Sequence, residues 1–237
     1  MDPASLITEA RKQGRAALDE MAGKQLLAAY GVAVPRSVIV TGAADVDTAF
    51  RQLKAPVVIK VMSPDILHKS DAGGVKVGIG SADEASAAIR EMMANPAIGA
   101  SRIDGFLIEE MAPGGQEMVI GGLRDPHFGP LVMVGLGGIF VEVLADVTFR
   151  ICPIERRDAE EMLDELKGAV VLKGARGRKP VSREAIVAAL LRIGGEGGLL
   201  MDLAADIQEA DINPLIVSDA GAVAVDARFL LTRSRTI

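Results

Sequence analysis

The chain has no tryptophan, one tyrosine, one cysteine and two histidines in 237 residues. With so few aromatic platforms and a formal net charge of −6, nucleic-acid binding by base stacking or by a basic surface is excluded. The lone Cys152 cannot close an internal disulfide, so the fold must rest on its own core. No apolar run approaches the roughly 18 residues of a membrane span. The N-terminal stretch lacks the apolar centre of a secretion signal. These absences predict a cytoplasmic protein that binds neither membrane nor nucleic acid. What is present is 49% hydrophobic residues, enough to bury a core as one large domain or two small lobes. The 26 glycines are spread along a chain of otherwise globular composition. Such glycines mark tight turns and close backbone approaches, a first hint of phosphate binding.

Helix formers from Ala16 to Ala29 run up to Gly31 and Pro35, which predicts a helix over 16–29 with a normal stop signal. The β-branched runs Ser37–Thr41 and Pro56–Lys60 read as strands on either side of a helical stretch from Ala43 to about Leu53, with Asp45 and Asp47 near its start. Val75–Ile79 reads as a further strand, and Ser81–Met93 as a helix opened by the capping box Ser81-Ala-Asp-Glu84. From Gly105 onward strands predominate, at 106–110, 118–122, 131–134 and 148–153, followed by helices near 157–166 and 182–193 and by closing strands. The expected fold class is α/β (α+β). It is a single domain over 1–237 with a first, α/β lobe at 31–110 and a second, strand-rich lobe at 111–237, meeting near Glu110–Gly115 and enclosing a cleft.

Four stretches carry the chemistry. Lys60 ends the apolar run Val57-Val-Ile-Lys60, where an ammonium can leave the sheet for a phosphate or simply reach water. The loop Asp65-Ile-Leu-His68-Lys69-Ser70-Asp71-Ala-Gly73-Gly74-Val-Lys76 sets a histidine and two lysines around a glycine pair. Its glycine N–H groups suit phosphate oxygens and its imidazole can carry a covalent group, or His68 is an ordinary loop histidine. Phe106-Leu-Ile-Glu109-Glu110-Met111 runs into Pro113-Gly114-Gly115. A strand end of that kind leaves N–H and C=O groups for an adenine edge, or only two solvated carboxylates, while Glu117 stands near enough to reach a ribose hydroxyl or a metal. Finally, Asp211-Ile-Asn213-Pro214 and Asp226 flank a hairpin whose turn is Ser218 to Gly221. If Ser218 pairs with Gly221, counting back along both strands puts Asn213 opposite Asp226, to within one residue for a bulge. Two oxygen ligands plus nucleotide phosphates make a magnesium site; the plainer reading is an Asx turn beside an unrelated aspartate.

Taken in order, these stretches resemble the ATP-grasp fold, and within it the nucleotide-binding (beta) subunit or domain of ADP-forming acyl-CoA synthetases of the acetyl-CoA type, relatives of the succinyl-CoA synthetase beta subunit. The resemblance spans nearly the whole chain. It is most specific at Ile66–Val75, at Asp125–Pro130 with Gly135–Glu142, and at Asp211–Leu215. It implies Lys60 on the nucleotide phosphates beside Gly73 and Gly74, an adenine hinge at Glu109, Glu110 and Met111, and Glu117 near the ribose. It also implies Asn213 and Asp226 as Mg2+ ligands with Asp211 close by, and His68 as the phosphoryl carrier. The implied activity is an acid-thiol ligase passing a phosphoryl group between phosphohistidine and ADP/ATP. Such an enzyme needs a CoA-binding (alpha) partner with a second phosphohistidine, and no early GxGxxG unit is present here to supply it. Two alternatives stay open: an ATP-grasp carboxylate ligase working by direct attack on an acyl phosphate, and a non-catalytic nucleotide-sensing module. The basic, glycine-rich stretch Lys173–Pro180 reads as a solvated loop or a contact for a partner.

Overall fold

The computed structural model describes residues 2–66, 69–138, 145–174 and 179–232. The chain opens with α1 (Pro3–Lys12) and α2 (Glu20–Ala29), then β1 (Ser37–Val40), α3 (Val46–Phe50), β2 (Val57–Met62), β3 (Val75–Ile79), α4 (Ala82–Ala94), α5 (Pro96–Gly99) and β4 (Gly105–Glu110). There follow β5 (Gln116–Asp125), β6 (Gly129–Leu136) and β7 (Val147–Ile151), helices Arg156–Glu165, Arg183–Gly194 and Leu199–Asp202, then β8 (Ile207–Val217), β9 (Ala222–Ala224) and β10 (Arg228–Leu231).

These elements form two compact units: Pro35–Ala112, and Met1–Val34 together with Pro113–Ile237. The smaller unit is a four-stranded sheet in the order β1-β4-β2-β3, antiparallel at each pairing. Its core takes Val57, Ile59 and Val61 from β2, Phe106 and Ile108 from β4, and Ala85, Ile89 and Met92 from α4. The last three recur at helical spacing, which is why α4 packs with one face on the sheet. Ser81 caps α4 by accepting the Glu84 N–H at 3.2 Å, but the Glu84 carboxylate takes the Gly80 N–H rather than that of Ser81. The expected capping box is thus closed one residue early.

The larger unit is a six-stranded sheet, β10-β8-β5-β6-β7 with β9 also on β8. One face is covered by α2 and the helices Arg156–Glu165 and Arg183–Gly194, which bury Leu26, Leu27, Met162, Leu163, Ile186, Leu190 and Ile193 against Met118, Ile120, Val132, Val134, Ile212 and Phe229. Along β8 the alternation is plain: Ala210, Ile212, Leu215 and Val217 are buried, whereas Glu209, Asp211 and Asn213 are exposed.

The stretch expected as a helix over 16–29 is helical only in its second part: α1 ends at Lys12, before that stretch, and α2 begins only after Asp19, whose carboxylate accepts the Ala22 N–H at 2.9 Å. Between them Ala16–Leu18 is extended and bonds to β10 through Leu18 N–H to Phe229 O and Leu231 N–H to Ala16 O. The stretch expected as a helix from Ala43 to about Leu53 is a 3-10 turn at Ala43–Asp45 followed by α3, after which the chain closes through i→i+3 bonds from Gln52 N–H to Ala49 O and Leu53 N–H to Phe50 O.

Candidate functional site

In the smaller unit β2 continues to Met62 and every one of its residues is buried, so Lys60 stands inside the strand rather than at its end. Its backbone faces Leu107 on one side and Val75 on the other. Val58 pairs with Glu109, so Lys60 and Glu109 are diagonal neighbours on one face of the sheet. Their side chains meet at 2.6 Å with 7% and 1% exposure. This is a buried ion pair, and the cation expected to be open to solvent is already neutralised.

The glycine loop departs from expectation too. The Gly73 N–H donates to Ser70 O at 3.1 Å and the Gly74 N–H to Lys69 O at 2.7 Å, while Gly74 O accepts the Val61 N–H at 2.8 Å. These amides close the loop on itself and onto β2 instead of pointing at a ligand. Gly74 is glycine because a Cβ there would lie 2.4 Å from Val61 Cγ1. His68 lies outside the described residues, as does half of the basic stretch 173–180, at 175–178.

The hinge residues are also more engaged than a free strand end. β4 lies between β1 and β2, and Glu109 pairs with Ser37 and Val58. The Glu110 N–H donates to Arg36 O at 2.9 Å and the Met111 N–H to Pro56 O at 3.3 Å, while Glu110 Oε1 accepts the Lys54 N–H at 2.9 Å. An interior strand has no free edge, so the N–H groups of these two residues are already bonded within the unit.

In the larger unit the four remaining residues stand on the sheet face opposite the helices. The turn forms with Ser218 N–H on Gly221 O at 2.8 Å, and β8 pairs with β9 at Leu215↔Ala224, Ile216↔Val223 and Val217↔Ala222. Beyond a short gap the same register resumes with β10 at Asp211↔Arg228 and Ala210↔Phe229. One register on both sides of the gap puts Asn213 and Asp226 on facing positions. The bulge allowed for in the hairpin lies on the other side of β8. The pairing with β5 shifts between Met118↔Leu215 and Ile120↔Ile212, so Asn213 and Pro214 share the single opposing residue Val119. Pro214 offers no N–H to a ladder, which is why the shift falls there.

The electrostatics of this face are dominated by carboxylates, with the cation Arg228 beside Asp211. The Asp211 carboxyl is pushed above its ordinary value by partial enclosure and by the Asp226 carboxylate, with Arg228 acting in the opposite sense. Asp226 Oδ1 accepts the N–H of Ala227 at 2.8 Å. Among the described residues no group of three or more His, Cys, Asp or Glu side chains forms a metal cage. One amide oxygen with one or two carboxylates nevertheless fits Mg2+, which keeps most of its sphere for water and phosphate oxygens. Glu117 is exposed on β5 on the same face as Asp211, and its carbonyl accepts the Gly137 N–H at 2.8 Å. A Cβ on Gly137 would lie 2.9 Å from that of Glu117. Gly137 and Arg228 therefore belong to this face, and neither was assigned from sequence. Gly137 was visible in the Gly-Leu-Gly-Gly run, whereas Arg228 depends on the strand pairing.

Comparison with known proteins gives the following. The ATP-grasp domain family model matches residues 9–231. The acetate–CoA ligase [ADP-forming] I subunit beta of Pyrococcus furiosus is 43% identical over 228 residues, covering 95% of this chain and 96% of that subunit. The acetate–CoA ligase [ADP-forming] I of Archaeoglobus fulgidus is 42% identical over 211 residues, which are 88% of this chain and only 30% of that longer polypeptide. The dinucleotide forming acetyl-coenzyme A synthetase 1 of Ca. Korarchaeum cryptofilum, solved with coenzyme A, Ca-AMPCP and HgCl+, matches with a TM-score of 0.92 at 40% identity, covering 98% of this chain and 100% of that one. The same synthetase solved with coenzyme A and Mg-AMPPCP, its phosphohistidine segment pointing towards the nucleotide binding site, matches at 0.85 with 40% identity and the same coverage.

Proposed function

The chain belongs to the ATP-grasp family and, within it, to the beta subunits of ADP-forming acyl-CoA ligases, and from that premise we propose that it passes a phosphoryl group between phosphohistidine and ADP. The overall reaction is acyl-CoA + phosphate + ADP = carboxylate + CoA + ATP. In the step assigned to this chain, a terminal oxygen of the ADP β-phosphate attacks the phosphorus of phosphohistidine. The new P–O bond forms as the P–N bond breaks, and the imidazole leaves. His68 is the proposed carrier, on the strength of the resemblance of its loop.

The observation that carries this reading is the facing of Asn213 and Asp226 on one sheet face, beside an Asp211 carboxyl pushed up by partial enclosure and then by the Asp226 carboxylate. Magnesium bound there would offset the charge that develops on the phosphate oxygens. Asn213 and Asp226 would hold it, with Asp211 adding negative charge nearby. Lys60 is assigned to the phosphates, its ammonium fixed by Glu109 so that it needs no reorganisation when substrate arrives. Met111, whose N–H makes the longest of the hinge bonds at 3.3 Å, is the residue whose bond opens at least cost to meet adenine. Glu117 is assigned to the ribose.

The partner is a CoA-binding subunit or domain carrying the second phosphohistidine. Support comes from the relatives: one is a beta subunit of nearly this length, and another fuses a matching stretch to a polypeptide of which it makes up 30%. No helix among the described residues is long and apolar enough to cross a membrane.

The test uses the assembled enzyme phosphorylated with acyl-CoA and radiolabelled phosphate, which releases carboxylate and CoA, and then given ADP. The label should pass to ATP in the wild type and stay on the partner in His68→Ala, with ADP binding unchanged. Normal labelling of ATP by His68→Ala would remove the carrier assignment.

A further inference from the structure

We propose that the segment Ala16–Ala33 is a brace that sets the position of the Asp226 carboxylate, with Gly23 as its positioning residue. The inference rests on the reading of Asp226 as a magnesium ligand. Asp226 sits in the gap between β9 and β10, outside both strands, where the Val225 N–H donates to Pro214 O at 2.9 Å. A ligand in such a gap needs outside support to hold its geometry, because groups behind a metal ligand orient it.

The N-terminal segment supplies that support from both sides. Past the gap, Leu18 N–H donates to Phe229 O at 3.0 Å, Leu231 N–H donates to Ala16 O at 2.8 Å, and Ala17 bridges to Leu230. Before the gap, Ala224 N–H donates to Ala33 O at 2.8 Å. Between these anchors runs α2, and its Gly23 packs against Ala227 and Phe229. A Cβ there would lie 2.9 Å from Ala227 O and 3.3 Å from the Phe229 ring. Ala227 is also the residue whose N–H holds Asp226 Oδ1 at 2.8 Å. Its carbonyl thus rests against the helix while its amide holds the carboxylate, so a push at Gly23 is passed on to Asp226.

The helix is stiff enough to transmit such a push. Leu26 and Leu27 are fully buried. Lys24 and Glu20 form an ion pair at 2.8 Å, buried at 2% and 3% exposure. The bond between the Asp19 carboxylate and the Ala22 N–H fixes its start.

The experiment measures Mn2+ affinity of the full chain in the presence of ADP, and ADP affinity in EDTA, for wild type, Gly23→Ala, Gly23→Val, Asp226→Asn and the Gly23→Val/Asp226→Asn double variant. Gly23→Val should weaken Mn2+ binding about tenfold and Gly23→Ala less, with metal-free ADP binding unchanged. The effect of Gly23→Val should vanish in the Asp226→Asn background, because both changes act through one carboxylate. Equal weakening with and without metal, or an effect that persists in that background, overturns the brace and leaves Gly23 a packing residue. Unaltered Mn2+ binding by Asp226→Asn overturns the metal reading itself and the brace with it.

If Gly23→Val does not fold, Gly23→Ala and hydrogen exchange of the wild type decide. Mg-ADP should slow exchange of the Leu18 and Ala224 amides roughly tenfold through the same coupling. Unchanged exchange at both amides overturns the proposal.

Discussion

The two units handle charge in opposite ways. In the smaller one the cation Lys60 is buried and already paired with Glu109 at 2.6 Å. In the larger one Asp211 and Asn213 stand exposed on the sheet face, facing Arg228 and Asp226, and the Asp211 carboxyl is pushed upward. A buried charge without a partner costs several kcal/mol, so the first arrangement must be complete before a ligand arrives. Carboxylates at the surface keep part of their hydration and can wait for one. The difference separates the two parts: the smaller unit holds its cation in a closed, buried pair, and the larger sets carboxylates on a sheet face beside the single cation Arg228.

The largest effect tests the first half of that comparison. Glu109→Ala leaves the Lys60 ammonium buried without its partner and should cost about 3–5 kcal/mol of stability, read by denaturant unfolding. Replacing both residues by apolar ones of similar size should recover most of it. The second half is broken by Asp226→Ala, which should weaken Mg2+-dependent ADP binding by about 100-fold or more, since losing a ligand exceeds the loss of an outer support. Stability should fall little, because the side chain lies on the open face.

Next comes Gly74→Ala, whose new Cβ must displace Val61 Cγ1 from 2.4 Å. A cost of about 1–3 kcal/mol is expected, and Val61→Ala in the same chain should relieve much of it. The smallest effect is Ser81→Ala. Losing the 3.2 Å cap bond on α4 should cost about 1 kcal/mol, leaving metal binding unchanged.

How much of this was legible in the sequence varies with the range of the interaction. The hairpin register was readable because Ser218 and Gly221 set the pairing locally, and every later pair follows by counting. The family was readable because its motifs occur in order along nearly the whole chain. The Lys60–Glu109 pair was not readable, for it depends on β2 and β4 becoming neighbours although the two residues are 49 positions apart. The same holds for the engaged amides of Glu110 and Met111: sequence shows a strand followed by a break, but not that the strand lies inside the sheet. Gly73 and Gly74 were readable as a loop that needs glycine. Only the contact with Val61 shows what that need is. Gly23 gave no signal at all inside a run of helix formers.

The most direct test of the central claim is isothermal titration of the chain with ADP, with and without Mg2+, in the wild type and in Asp226→Ala. Mg2+ should strengthen ADP binding in the wild type and make no difference in the variant. Equal Mg2+ dependence in both would contradict the assignment of the facing Asn213 and Asp226 as the nucleotide-metal site.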